Sequence, residues 1–295
     1  MVSGGYIEIP EGWVVIARDG PAPFTTELTL LRPDGTRVRW QSRRHRKHLN
    51  RLTTGTGSTW WAPGAVAWWI AILFMVGSAC FALGSVPAYV GSVGATADGI
   101  TFFVGSIFFT SAALLVYLEA VNSVRSLENT STRVRLLSWE PARIDWWASL
   151  IQLAGTLFFN RSTFQALQTN LTASEANQMI WRPDVLGSIC FLVASALAWA
   201  EAGHGWVSWK PRDISWWIAL LNLAGSVAFG ISAIASKIVP ADDQPRSLAI
   251  SNFGTFIGAI CFLVGAFLLL PERTRGQQAE TNDSKGRDRG IRPSA

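Results

Sequence analysis

WWAPGAVAWWIAILFMVGSACF, residues 60–81, returns with the same spacing as WEPARIDWWASLIQLAGTLFF, residues 139–159, and WKPRDISWWIALLNLAGSVAF, residues 209–229. Each copy reads Trp, any residue, Pro, four residues, Trp-Trp, seven residues, Gly, Ser or Thr, two residues, Phe, with no gap. A second block follows each: GSIFFTSAALLVYLE ending at Glu119, GSICFLVASALAWAE ending at Glu201 and GAICFLVGAFLLLPE ending at Glu272. Self-similarity at a fixed period defines a repeat architecture, here threefold.

Of the 295 residues, 49% are apolar and 15% charged, well below the charged fraction of an ordinary soluble domain. About 20 apolar residues in a helix span the hydrocarbon layer. Six such stretches stand near 63–84, 99–118, 142–164, 184–202, 213–236 and 250–270, two to a repeat. The expected fold is therefore an all-α membrane protein of six transmembrane helices, arranged as three two-helix repeats, with a small β-rich element before them. The repeats occupy 60–119, 139–201 and 209–272. The first ten residues hold neither a basic start nor an apolar run, so the first spanning helix is expected to target the chain.

Of the 25 Lys and Arg residues, 21 precede the first helix, follow the last or lie in the even-to-odd connections; Arg161, Arg182, Lys237 and Arg246 lie opposite. Positive charge stays inside, which puts both termini in the cytoplasm of a bacterial cell and the helices in its cytoplasmic membrane. The net charge of +5 thus reports topology, not nucleic-acid binding.

Residues 1–51 form the β-rich element. In ELTLLRPDGTRVRW, Leu28 and Leu30 alternate with polar neighbours, Pro33-Asp34-Gly35 supplies a turn, and Val38 and Trp40 resume the alternation. That is a hairpin, and Ile7, Ile9, Trp13, Val14 and Ile16 supply one more strand. Arg43, Arg44, His45, Arg46, Lys47, His48 and Arg51 then make a basic run, read first as a positive-inside stop and second as a contact for anionic lipid through Arg43, Arg44, Arg46 and Lys47. Residues 273–295 mix charge with Gly and Pro and are expected to be a disordered cytoplasmic tail.

Several repeated positions invite a functional reading. Pro63, Pro141 and Pro211 are expected in the first turns of the odd helices. Trp61, Trp68, Trp69, Trp139, Trp146, Trp147, Trp209, Trp216 and Trp217 are expected as interfacial anchors, with indole N–H groups hydrated and rings out of water. Small pairs seven residues apart, Gly105 with Ala112, Gly187 with Ala194 and Gly258 with Gly265, let helix backbones approach.

Eleven residues after each Pro come Phe74, Gln152 and Asn222; an amide in mid-membrane needs a partner, as interhelical glue or, with Asn252, as a solute site. Glu119, Glu201 and Glu272 oppose the dipoles of the helices they end, which implies specific partners, with Arg143, Lys210, Arg212 and Arg273 nearby in sequence. Alternatively they ring a cytoplasmic mouth.

Cys80, Cys190 and Cys261 lie inside expected helices, and no spacing suits zinc or an iron–sulfur cluster. Neither cofactor nor catalytic constellation is read from the chain, so it is not expected to be an enzyme. The six-helix, three-repeat arrangement is similar to that of the mitochondrial carriers, whose charged signature at the far ends of the odd helices no copy supplies. The WxP…WW…GS and GS-I-x-F…E blocks resemble the two-helix YrhK-like unit of uncharacterised bacterial multi-pass membrane proteins, a resemblance that implies a fold and no site. Two functions remain, the first the leading expectation and the second the alternative. One is a structural or regulatory membrane protein whose N-terminal element meets unidentified protein partners. The other is a small-solute transporter or channel on a pseudo-threefold axis.

Overall fold

The computed structural model describes residues 9–47, 58–123, 135–168, 170–239 and 244–290. Ile7, His48 and Arg51 therefore lie outside the described residues. The chain starts with a three-stranded antiparallel sheet in the order β1 (Val14–Asp19), β2 (Glu27–Leu31), β3 (Arg37–Gln41). Leu28 pairs with Trp40 and Leu30 with Val38 across the expected hairpin. Leu28, Leu30 and Trp40 are buried on one face, packed by Ile9, Trp13, Val15 and Val38. The Arg32 guanidinium lies 4.8 Å from the centre of the Trp13 ring, in cation–π contact. A five-residue helix, α1 (Ser42–Arg46), leaves the sheet directly.

Among the described residues six long helices follow: α2 (Val66–Gly84), α4 (Ala95–Val121), α5 (Ile144–Gln165), α7 (Arg182–Gly203), α8 (Ile214–Ala235) and α9 (Leu248–Gly290). Short helices α3 (Pro87–Val93) and α6 (Ala173–Ala176) stand at the end away from the sheet, α6 passing through a π-helical turn, Asn177–Trp181, into α7. There Asn177 holds β4 (Ile238–Val239), which pairs with β5 (Gln244–Pro245), by donating to and accepting from the Ile238 backbone at 2.8 and 3.0 Å.

Each long helix packs on the next, and α9 packs back on α2, so the six close into a ring. Five of them, α2, α4, α6 with α7, α8 and α9, are long and apolar enough to cross a membrane. The stretch expected at 142–164 does form a helix, but Asp145, Gln152, Asn160 and Arg161 keep α5 out of that set.

Glycines set the closeness of three helix pairs. A Cβ added to Gly258 on α9 would meet the Gly225 carbonyl oxygen of α8 at 3.0 Å, and one on Gly187 of α7 would meet that of Gly155 on α5 at 3.2 Å. Gly105 on α4 faces Gly77 on α2 in the same way, at 3.2 Å. Backbones approach this closely only where no side chain intervenes, which is how helices gain packing when lipid removes the hydrophobic incentive.

One expectation about helix ends is corrected. Pro63, Pro141 and Pro211 do not lie in the helices; each is the second residue of a tight turn closed by Ala65 N–H to the Ala62 carbonyl (2.9 Å), Arg143 to Glu140 (3.0 Å) and Asp213 to Lys210 (2.9 Å). Proline's fixed φ suits that turn position, and the turn's last residue becomes the helix N-cap. Helix α9 carries Pro271 inside it, and buried contacts of Glu272 and Arg273 pin the turn that proline would otherwise loosen.

Candidate functional site

The tight turns orient the tryptophans. Indole N–H groups of Trp68, Trp146 and Trp216 donate to the backbone carbonyls of Trp60, Ser138 and Ser208, at 2.9, 2.9 and 3.2 Å. Those of Trp69, Trp147 and Trp217 donate to the carbonyls of Pro63, Pro141 and Pro211, at 2.8, 3.0 and 2.9 Å. Trp68, Trp146 and Trp216 are buried, whereas Trp61, Trp139 and Trp209 are exposed. The expected hydrated N–H groups are thus corrected for the paired residues: they staple each helix to the chain that enters it.

Inside the ring, at the end carrying the sheet, lies a cavity of about 120 Å³ bordered by residues from all six long helices and from the α1 segment. That is room for several waters or a small solute. Gln152 on α5 and Asn222 on α8 line it, with Phe74 on α2. Among the described residues neither amide makes a side-chain hydrogen bond to protein, so the interhelical bond expected of them is not made. Asn252 stands apart, near the start of α9 at the opposite end, and lines neither this cavity nor the second one described below.

All three repeated glutamates border the same cavity. Two of them find partners in the α1 segment. Glu201 is buried, accepting from Ser42 Oγ at 2.8 Å and Arg46 Nη2 at 3.2 Å. Glu272, also buried, accepts from Arg43 Nε at 3.0 Å, Ser215 Oγ at 2.7 Å and the Lys47 ammonium. Glu119 makes no hydrogen bond or ion pair among the described residues. Burial opposes the Arg46 charge, yet Glu201 and Asp145 hold its guanidinium protonated well above its ordinary range. Lys47 is pushed the other way, below its usual value, by burial and by neighbouring Arg43, with Glu272 opposing.

The four cations near the glutamates in sequence are engaged differently or not with them. Arg143 reaches Glu140 at 3.1 Å, Ser123 Oγ at 2.6 Å and the Asp145 carboxylate, and Arg273 donates to the Ser58 carbonyl at 2.6 Å. Neither Lys210 nor Arg212 forms an ion pair with a glutamate among the described residues. Correction also applies to the basic run. Arg43, Arg46 and Lys47 turn inward onto carboxylates, so of the four residues expected to face anionic lipid only Arg44 is exposed. Local spacing cannot reveal this, because the carboxylates that α1 meets, Asp145, Glu201 and Glu272, lie far along the chain, Glu201 155 residues from Arg46.

The sheet docks by a second contact. His204 caps α7 in the left-handed region at φ 54°. Its Nδ1 hydrogen-bonds with Thr26 Oγ1 at 2.9 Å, and its Nε2 lies 3.2 Å from Glu27 Oε2 and 3.3 Å from Gln41 Nε2. Thus the sheet's inner edge closes the mouth of the ring.

Beyond Gln152 and Asn222 the axis is sealed. Phe109, Phe191 and Phe262, one from each second block, form a triangle with centroids 5.8–6.2 Å apart. Phe229 joins a second layer, 5.9 Å from Phe81 and 6.0 Å from Phe159. Among the six rings remains about 10 Å³, at the lower limit for one water. The Ser106 hydroxyl on its wall is already bonded to Thr163 Oγ1 at 2.9 Å and the Phe103 carbonyl at 2.7 Å.

Past the rings opens a second cavity of about 210 Å³ toward the far end. Its lining includes Asp184 and the hydroxyl residues Ser162, Thr163, Ser232, Ser251 and Thr255. Asp184 has no hydrogen bond or ion pair among the described residues. The sequence reading passed over both the six phenylalanines and Asp184. The phenylalanines do carry a signal, since each recurs at a fixed place in its block; Asp184 recurs nowhere.

Among the described residues no cluster of His, Cys, Asp and Glu is built to hold a metal. Compared with known proteins, the chain matches no described family, no curated protein and no solved structure. Its multi-pass membrane character rests on the five long apolar helices.

Proposed function

We propose that the chain is a six-span protein of the bacterial cytoplasmic membrane, built as three two-helix repeats akin to the YrhK-like unit, that passes a small solute along the axis of its helix ring. α5 counts as the sixth span because ring closure leaves it between two apolar helices, with its polar residues Gln152 and Asp145 turned inward. The basic end is cytoplasmic, by the excess of Lys and Arg there.

One observation carries the reading: two cavities lie in succession on one axis, separated only by the phenylalanine stack. Phe262 borders the first cavity and the stack, and Phe81, Phe159 and Phe229 border the stack and the second cavity. Polar groups unpaired in a membrane interior are costly, so unbonded amides at Gln152 and Asn222 fit a wet or solute-filled chamber better than a static contact. A hydrophobic constriction of this kind can gate by dewetting.

The engaged N-terminal sheet also fits the structural or regulatory reading, in which the sealed axis is simply a core. Flux decides between them. Purified protein in sealed liposomes is expected to pass small cations, and a Gln152→Leu/Asn222→Leu double variant to lose that flux. Flux no higher than in empty liposomes, for wild type and for a Phe191→Ala variant alike, would leave the structural reading standing.

A further inference from the structure

The chamber beside α1 holds three glutamates, and three cations of the same chain face them. We propose that this chamber is a binding site for solutes bearing a guanidinium or primary ammonium group, and that Arg43, Arg46 and Lys47 occupy it as a tethered substitute. The proposal deepens the conduit reading and rests on its assignment of the same cavity.

Recognition chemistry is already on display. Arg43 and Lys47 stand one helical turn apart and converge on the two oxygens of Glu272, while Arg46 takes one oxygen of Glu201 and Ser42 Oγ the other. N–H donors on carboxylates make charge-assisted bonds about twice as strong as neutral ones. Hence the carboxylates select cations that carry N–H groups.

Two other cation classes fit poorly. A quaternary ammonium ion calls for a cage of aromatic faces, but the lining offers only Phe74 and Phe262. A metal ion needs converging ligands, and Glu201 and Glu272 are instead engaged with different cations.

The substitute leaves the site unsaturated. Arg46 Nε is buried without a partner. Glu119 on the wall accepts no hydrogen bond among the described residues, and the Gln152 and Asn222 amides face about 120 Å³ of space. An untethered cation has both acceptors and room. When α1 withdraws, the lining keeps three carboxylates against Arg273, so its charge turns from net positive, with four cations against three carboxylates, to net negative.

The test uses the full chain in nanodiscs, with agmatine and spermidine as probes and choline and potassium as controls, followed by calorimetric titration. Arg43→Gln/Lys47→Gln should bind agmatine at least tenfold more tightly than wild type. Adding Glu272→Gln should abolish the gain, and choline should bind none of the three. Where the double variant does not fold, Arg43→Gln alone, at the partly exposed edge of the site, should gain about threefold. Agmatine binding no tighter than choline binding in the folded variant overturns the proposal. Binding without any liposome flux keeps this site and retires the conduit. Potassium flux with no preference for N–H cations keeps the conduit and retires this site.

Discussion

Arg46 in α1 and Glu201 at the end of α7 meet at 3.2 Å, 155 residues apart in the chain and both buried. This contact ties the N-terminal sheet to the helix ring. A buried pair is weak evidence for stability as a pair, because desolvation consumes most of the attraction. Removing one partner is different: Glu201 would keep only the Ser42 hydroxyl, and Arg46 only the Asp145 carboxylate at 3.8 Å.

Glu201→Ala should therefore cost about 3–5 kcal/mol of docking or folding stability, and Arg46→Ala a comparable amount. An Arg46→Met/Glu201→Leu double variant should recover much of the loss, because neither charge then stays buried alone. Unfolding curves in detergent, with proteolysis of residues 9–47 as a local readout, check this. Additive losses in the double variant would contradict the buried-pair account.

His204 makes the docking sensitive to pH. Burial and the nearby Lys210 push its imidazole below the ordinary value of 6.5, with Glu27 opposing. The folded state then binds fewer protons than the unfolded state, so stability rises with pH through this range. The contribution of His204 is present above pH about 6.5 and declines as pH falls through that value. Protection factors of the β2 and β3 amides, taken relative to intrinsic exchange at each pH, should fall between pH 7.5 and 5.5 in wild type, and His204→Gln should flatten that dependence. An identical fall in both would place the sensitive group elsewhere.

Much of this architecture was legible because the repeat compares the chain with itself. Spacing from Pro63, Pro141 and Pro211 located the odd helices to within three residues, and Leu28, Leu30, Val38 and Trp40 located the hairpin. Gln152, Asn222 and the three glutamates stood out by their repeated places and border one cavity, but the partners of Glu201 and Glu272 were not legible. Arg46 finds Glu201 only through tertiary folding, and a basic run beside a membrane reads the same whether it faces lipid or turns inward. Asn252 lies near the start of α9, at the other end of the ring, a placement that composition alone does not give.

The glycine contacts predict sharp positional differences. A Cβ on Gly258 would stand 2.6 Å from Phe229 Cδ2 and 3.0 Å from the Gly225 carbonyl oxygen, whereas one on Gly230 meets nothing within 4 Å. Gly258→Val should separate α8 from α9 and cost about 1–3 kcal/mol or more. Gly230→Ala should leave the melting temperature unchanged or slightly raised, as alanine favours helix over glycine. Equal effects at the two positions would show that close approach is not what the bundle needs.

The phenylalanine stack yields the prediction that bears most on function. Phe109, Phe191 and Phe262 each touch the other two, so taking away one ring removes two of the triangle's three contacts. Truncation of a buried Phe costs about 3–5 kcal/mol when the cavity cannot collapse, and here the neighbouring rings are held by their own helices. The vacated volume would join the two chambers, and water could then connect the amides at Gln152 and Asn222 to Asp184. Phe191→Ala should accordingly leak small cations in sealed liposomes at a rate at least tenfold above wild type. Phe164→Ala serves as control, because Phe164 is exposed, meets Phe103 at a tilt and borders neither chamber nor the ring stack. Adding Arg43→Gln/Lys47→Gln to Phe191→Ala should raise the leak further, since the stack and α1 close the same path in series. A Phe191→Ala protein that folds, melts a few degrees lower and stays as tight as wild type would mean that the rings fill a core instead of sealing a passage.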